Sequence, residues 1–234
     1  MPTLLALDAS SHACSVALWH QPAGRDAEVV ARYVEAPREH TRRLMPMVDE
    51  VLAAAGVSLA DLDALAYGHG PGSFTGLRIA AGTAQGLAYG LEKPLLGVST
   101  LAALALAAHR RLHLRYVLPA LDARMGEIYV GAYRCHDGAV TPLAAEAVMA
   151  PERLTLPADP AEVDWVGVGS GWSLWPSMSA TLQAGVSQHL DDWQPTAEEL
   201  VRLAAQRYAD GERTSPAEAQ PVYLRDQVAW QKSR

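Results

Sequence analysis

Two aspartates stand where apolar runs end: Asp8 after Leu4-Leu5-Ala6-Leu7, and Asp122 after Val117-Leu118-Pro119-Ala120-Leu121. A carboxylate at a strand end has two uses. It works on phosphate through a metal-bound water, or it bonds its own backbone and completes the turn. The turns that follow, Ala9-Ser10-Ser11-His12 and Ala123-Arg124-Met125-Gly126, lack the paired glycines that bring backbone close to phosphate, which favours the second use. His109 and His113 have the four-residue spacing of a metal pair, but Arg110, Arg111 and Arg115 crowd them and no acidic or thiol partner is near. His12 and Cys14 share a strand face with no third ligand. Ser73 lacks a base, and Gly-Pro-Gly-Ser-Phe is not a nucleophile elbow. The expectation is no catalytic residue, no metal and no cofactor.

The stretch Gly68-His69-Gly70-Pro71-Gly72-Ser73-Phe74-Thr75-Gly76 follows a short apolar run and precedes a long Ala/Gly/Leu segment. That is strand, glycine-rich turn, helix. Gly70 and Gly72 open backbone angles closed to other residues, Pro71 stiffens the turn, and Ser73 or Thr75 caps the helix. The outward N–H groups of such a turn suit an anion. A tight connection with no ligand is the simpler reading, because neither a P-loop lysine nor a GxGxxG frame is present. A second glycine run, Gly167-Val168-Gly169-Ser170-Gly171, is similar to an adenosine-contacting turn, on the weak ground of glycine after a strand.

The helix expected over 76–91 carries its polar residues, Arg78, Gln85 and Tyr89, on one narrow stripe. Its remaining surface is apolar or small, more than one buried side requires. Gly82, Gly86 and Gly90 recur every four residues, which admits the close approach of another backbone. Two arrangements satisfy this: a helix wholly buried in its own domain, or one with a sheet on one side and another protein on the other. A second helix, over 40–55, lines up Leu44, Val48, Val51 and Ala55, with Met45, Met47 and Leu52 partly off that stripe. Pro46 is expected to kink it or mark its start, and Gly56 ends it.

The 234 residues leave room for one large or two small domains. A net charge of -7 argues against independent tight nucleic-acid binding. Arg38, Arg42, Arg43 and Arg78 gather near the two helices and are read as solubility and helix-end charge. Two cysteines without a CxxC fit a reducing cytoplasm. No signal peptide is visible, and no apolar run is long enough to span a bilayer.

Three antiparallel strands open the chain, and their plan recurs. Ala6-Leu7-Asp8-Ala9 and Ala120-Leu121-Asp122-Ala123 are the same tetrapeptide, each ending a strand and leading to a second one, with Val16 and Val130 in the same frame. The expected fold is therefore α/β, a duplicated actin-like (ASKHA, RNase H-like) two-lobe fold with mixed sheets flanked by helices. The lobes are expected at 1–110 and 111–212, with a tail at 213–234 packing back on the first. Later helices are expected near 174–182, with Pro176 in its first turn, and at 196–208, capped by Thr196. In this plan Asp8, Ser10, Gly70, Gly72, Ser73, Thr75 and Asp122 make up a vestigial phosphate loop.

Several runs carry a family resemblance: Leu4-Leu5-Ala6-Leu7-Asp8-Ala9-Ser10, His40-Thr41-Arg42-Arg43-Leu44-Met45-Pro46, Gly70-Pro71-Gly72-Ser73-Phe74-Thr75-Gly76-Leu77-Arg78-Ile79 and Lys93-Pro94-Leu95-Leu96-Gly97-Val98-Ser99. The chain resembles the TsaB (YeaZ) family, strongly over its first hundred residues and faintly beyond Ala150. The resemblance implies a non-catalytic scaffold for threonylcarbamoyladenosine formation on tRNA, with a TsaD-like catalytic subunit and a TsaE-like ATPase as partners. It further implies that tRNA is reached only indirectly and that the chain alone can form a homodimer. TsaD-like chains carry a metal-binding His-x-x-x-His where this one has Thr100 and Leu104. The family pairs through helices matching 40–55 and 75–90, so the expected contact residues are Leu44, Met45, Met47, Val48, Val51, Leu77, Arg78, Gly82, Gln85 and Gly86. An actin-like nucleotide hydrolase or kinase is the alternative, and a metalloprotease, after the old glycoprotease label, comes third.

Overall fold

A computed structural model describes residues 2–22, 24–158 and 163–225. Two five-stranded sheets repeat one plan. In the first, β1 (Leu4–Asp8), β2 (Ala13–His20), β3 (Glu28–Glu35), β4 (Ala64–Gly70) and β5 (Leu95–Ser99) take the order β3-β2-β1-β4-β5. In the second, β6 (Tyr116–Arg124), β7 (Glu127–His136), β8 (Ala139–Met149), β9 (Trp165–Val168) and β10 (Val186–Leu190) take the order β8-β7-β6-β9-β10. Each sheet has an antiparallel meander whose first strand pairs in parallel with the fourth. This is the duplicated, actin-like two-lobe architecture expected from the repeated tetrapeptide.

The duplication is one residue out of frame with the sequence reading. Val16 pairs with Leu7, but Val130 pairs with Ala120 rather than Leu121. The cause is the second turn. Only Met125 and Gly126 separate β6 from β7, and Arg124, Met125 and Gly126 all have positive φ. The first turn spends residues 9–12 on the same reversal.

Among the described residues five α-helices surround the sheets: α1 (His40–Ala55), α2 (Phe74–Gly90), α3 (Thr100–Leu112), α4 (Ala180–Gly185) and α5 (Ala197–Ala209). β1 is buried along its whole length because helices cover both its faces, so it reads as an unbroken apolar run. One face packs α1 and α2 through Leu44, Val48, Val51, Ala80 and Ala84. The other packs α5 through Ala197, Leu200, Val201 and Ala204 against Leu4, Ala6 and Ala66. α3 lies between the sheets: Ala103 and Leu106 join the α5 side, and Leu101, Leu104 and Ala108 meet Val117 and Leu121 of the second sheet.

Several expectations need correction. α5 falls inside the 111–212 unit but belongs in space to the first lobe, since its apolar stripe fills the sheet face that α1 and α2 leave bare. Thr196 precedes it but makes no side-chain cap; Ser15 Oγ instead accepts the Ala197 N–H at 2.8 Å. The region read as one helix over 174–182 is a 3-10 segment, Ser170–Ser177, followed by α4, with Ser179 as the cap of α4. Strand β10 has no counterpart in the sequence reading. Pro46 lies inside α1, which starts six residues earlier at His40.

Candidate functional site

The glycine turn after β4 closes onto the turn after β1. Ser73 N–H donates to the Ser10 carbonyl at 2.7 Å, and Thr100 Oγ1 donates to the Pro71 carbonyl at 2.5 Å. A Cβ on Gly72 would stand 2.5 Å from the Ser10 carbonyl oxygen, and one on Gly76 1.8 Å from that of Ala9. A Cβ on Gly68 would stand 2.2 Å from Asp8 Oδ1. These glycines, four residues apart, make room for protein backbone and for Asp8. Ser73 does cap α2, its Oγ accepting the Gly76 N–H at 3.3 Å.

Asp8 is sealed beneath this contact. Its Oδ2 accepts from Ser10 N–H at 3.3 Å and Ser10 Oγ at 3.0 Å, while Oδ1 has no partner. Burial pushes its carboxyl up to about 7, against the pull of the Ser10 bonds. Asp122 is half-exposed. It accepts the Arg124 N–H at 2.7 Å and pairs with the Arg124 guanidinium at 3.1 Å. Both aspartates thus accept a backbone N–H two residues on, which is the turn-completing use. The second glycine run is likewise filled by protein: Cβ atoms on Gly167 and Gly169 would strike the Trp172 ring at 2.2 Å and the Ala120 carbonyl oxygen at 2.4 Å.

Reactive side chains are spent or suppressed. His109 Nδ1 meets the Leu114 carbonyl at 2.9 Å, while His113 is the exposed left-handed cap of α3. Burial pushes the Cys14 thiol up to about 11 and Cys135 up to about 12, far from thiolate at neutral pH. Thr100 and Leu104 are both fully buried. Among the described residues no group of three or more His, Cys, Asp or Glu could hold a metal ion.

The two helices split the expected contact residues. Leu44, Met47, Val48, Val51 and Leu77 are buried in the chain itself and cannot also face a partner. They are the apolar side that α1 and α2 turn to β1 and β4, so a charge at Met47 would test folding rather than docking. Met45, Arg78, Gly82 and Gly86 are exposed, and Gln85 is half-buried, its Nε2 donating to the Pro216 carbonyl at 2.6 Å. A Cβ built on Gly82, Gly86 or Gly90 meets nothing within 4 Å. The three glycines therefore leave an open track along α2, flanked by Tyr89 at 73% exposure.

Other residues of interest gave little sign in the sequence. A cleft of about 1270 Å³ between the lobes is lined by Arg38, Phe74, Arg78, Arg124, Tyr129 and Tyr223 among others. The tail enters this site. Val222 N–H donates to the His69 carbonyl at 2.8 Å, and the Tyr223 ring lies 6.0 Å from that of Phe74. Arg225 then reaches the second lobe, bonding Glu127 and, at 3.2 Å, the Ala123 carbonyl. Up to Arg225 the tail bonds the first lobe and reaches the second as well; positions 226–234 lie outside the described residues. The only advance signal was the apolar-aromatic run Val222-Tyr223-Leu224 after two prolines.

A family model described as "TsaD: tRNA N6-adenosine threonylcarbamoyltransferase" matches residues 29–233. The chain is 45% identical to the tRNA threonylcarbamoyladenosine biosynthesis protein TsaB of Escherichia coli, over 98% of this chain and 97% of that protein. It is 38% identical to the Haemophilus influenzae protein of the same name, over 98% and 96%. The crystal structure of YeaZ from Pseudomonas aeruginosa superposes with a TM-score of 0.88 at 45% identity, covering 96% of this chain and 100% of that one. The glycine turn locked onto Asp8-Ala9-Ser10, the duplicated sheets and these full-length matches agree: the chain belongs to the TsaB (YeaZ) family of tRNA threonylcarbamoyladenosine biosynthesis proteins.

Proposed function

We propose that the chain is the non-catalytic subunit that holds a TsaD-like threonylcarbamoyltransferase in the making of threonylcarbamoyladenosine on tRNA, with the outer faces of α1 and α2 as its docking surface. The open glycine track along α2 carries this reading. Gly82 and Gly86 lie in the interior of α2, where each costs about 1 kcal/mol relative to alanine, and Gly90 is its last residue. Gly82, Gly86 and Gly90 bring nothing close within the chain itself. A backbone from outside is what such a track accommodates, with Tyr89 on the same helix and Met45 on α1 as exposed apolar contacts. A standard interface buries about 800 Å² per partner, within reach of two adjacent helices. The burial of Thr100 and Leu104 where catalytic relatives carry imidazoles fits a supporting role. A TsaE-like ATPase joins the same assembly, and without its partners the chain pairs with a second copy through the same track. The setting is the cytoplasm; no helix among the described residues is long and apolar enough to cross a membrane.

Gly82→Glu and Gly86→Glu test the surface. Neither position has a neighbour to clash with, so the thermal midpoint should hold within a few degrees. Co-purification of the TsaD-like partner should drop at least tenfold for each variant. Undiminished capture by both would remove α2 from the docking surface.

A further inference from the structure

We infer that the cleft between the lobes binds a single-stranded or looped segment of RNA, its phosphates on Arg38, Arg78 and Arg124 and its bases against Phe74, Tyr129 and Tyr223. This rests on the proposed role in tRNA modification and adds to it a direct contact by this chain. The cleft, at about 1270 Å³, exceeds the roughly 300–1,000 Å³ of small-molecule pockets. In a chain of net charge -7, it is lined by four arginines, Arg38, Arg78, Arg124 and Arg225, against one aspartate, Asp122. Arg225 is committed to Glu127 and counts as structure. Arg38 and Arg78 have no carboxylate within salt-bridge distance among the described residues. Among the described residues Arg124 pairs only with Asp122, and it keeps 86% of its side chain exposed. The nearby acids Glu35 and Glu39 face His12 and Arg43 respectively.

The aromatic residues narrow the ligand class. The Arg78 guanidinium lies 3.3 Å above the Phe74 ring centroid and 5.0 Å from that of Tyr223. Phe74 and Tyr223 are 63% and 46% exposed, so this platform faces the cleft instead of filling a core. Arginine planes and aromatic faces along a basic channel are how unpaired bases and their backbone are held. An acidic peptide would use the arginines and leave the rings idle.

The test is fluorescence anisotropy with a fluorescein-labelled tRNA anticodon stem-loop, using the full chain alone and in complex with its TsaD-like partner. Three phosphate contacts predict an affinity loss of about 20-fold between 50 and 200 mM salt, from the counterion slope for single strands. The double variant Arg38→Glu/Arg124→Glu replaces exposed side chains outside the α2 track. It should weaken RNA binding at least tenfold, flatten the salt dependence and leave partner capture intact. Circular dichroism confirms that the variant is folded. Equal RNA affinity of variant and wild type would overturn the assignment. So would displacement of the RNA by polyglutamate or ATP at matching concentrations, or loss of partner capture together with RNA binding. Failure of the wild type to capture its partner sinks the scaffold reading, whereas intact capture with unchanged RNA binding sinks only the cleft.

Discussion

Gly76→Ala should destabilise the chain by at least about 3 kcal/mol, although alanine is the better helix former by about 1 kcal/mol. The added Cβ would lie 1.8 Å from the Ala9 carbonyl oxygen and 2.9 Å from its carbon. Both are backbone atoms of the fully buried Ala9, so no side chain can rotate away. Relief requires α2 to lift from β1, which breaks the Ser73 to Ser10 bond and unseats Leu77, Ala80 and Ala84. Overpacking of this kind costs about 1–3 kcal/mol when side chains can give, and more when only backbone can. Gly82→Ala is the control: the same substitution, six residues along the same helix, meets empty space and should stabilise by about 0.5–1 kcal/mol. Urea titration of both variants reads the two signs directly. A stable Gly76→Ala protein would mean that the glycine turn does not clamp the turn after β1.

Asp8 sets the second large effect. Its folded carboxyl titrates at about 7, against 3.8 for the ordinary group, chiefly through burial. Between those values the folded state holds a proton that the unfolded state has released. Stability therefore falls as pH rises through that window, and above pH 7 the loss reaches about 4 kcal/mol. Asp8→Asn removes the titration while keeping an oxygen for the Ser10 donors. The difference in stability between variant and wild type should move in favour of the variant by about 3 kcal/mol from pH 5 to pH 8.5. The comparison has to be made between the two proteins, because His69 acts in the opposite direction. Burial and then Arg207 pull its imidazole down to about 4, so stability drops as pH falls from 6.5 towards 4 in both. Parallel pH profiles for the two proteins would show that Asp8 stays ionised in the fold.

Much of the fold was legible because it is locally encoded. β1 shows as a run of leucines and alanine because both its faces are covered, and α1 ends at a glycine whose left-handed φ of 65° the position demands. The doubled tetrapeptide announced the doubled sheet, since each copy ends the central strand of its lobe. What failed depended on distance. β10 is a short strand with exposed Ser187 and Gln188, and only its pairing with β9 makes it one. The placement of α5 could not be read from its stripe, because an apolar stripe says that a face is buried, not against which sheet.

The candidate site divides in the same way. Glycine at 82, 86 and 90 marked a helix that something could approach, and the three remain open in the fold. The glycines at 68, 72 and 76 lie in the turn for which a tight connection with no ligand was the simpler reading, and they make room for the chain's own backbone and for Asp8. Met47 and Met45 are two residues apart, and the turn of the helix sends one into the core and leaves the other at 38% exposure.

By itself, the order of residues determined most of the strands and helices and the doubling of the unit. Those are matters of local conformation and side-chain chemistry. Only the tertiary structure decided which glycines face protein and which face open space, which arginines gather on one cleft, and that the tail joins the two lobes. The physical reason is that a glycine or an arginine has the same local preferences in every setting. What lies a few ångströms away is supplied by residues far along the chain, as Tyr67 Oη and the Gln220 carbonyl, 153 positions apart, show at 3.0 Å.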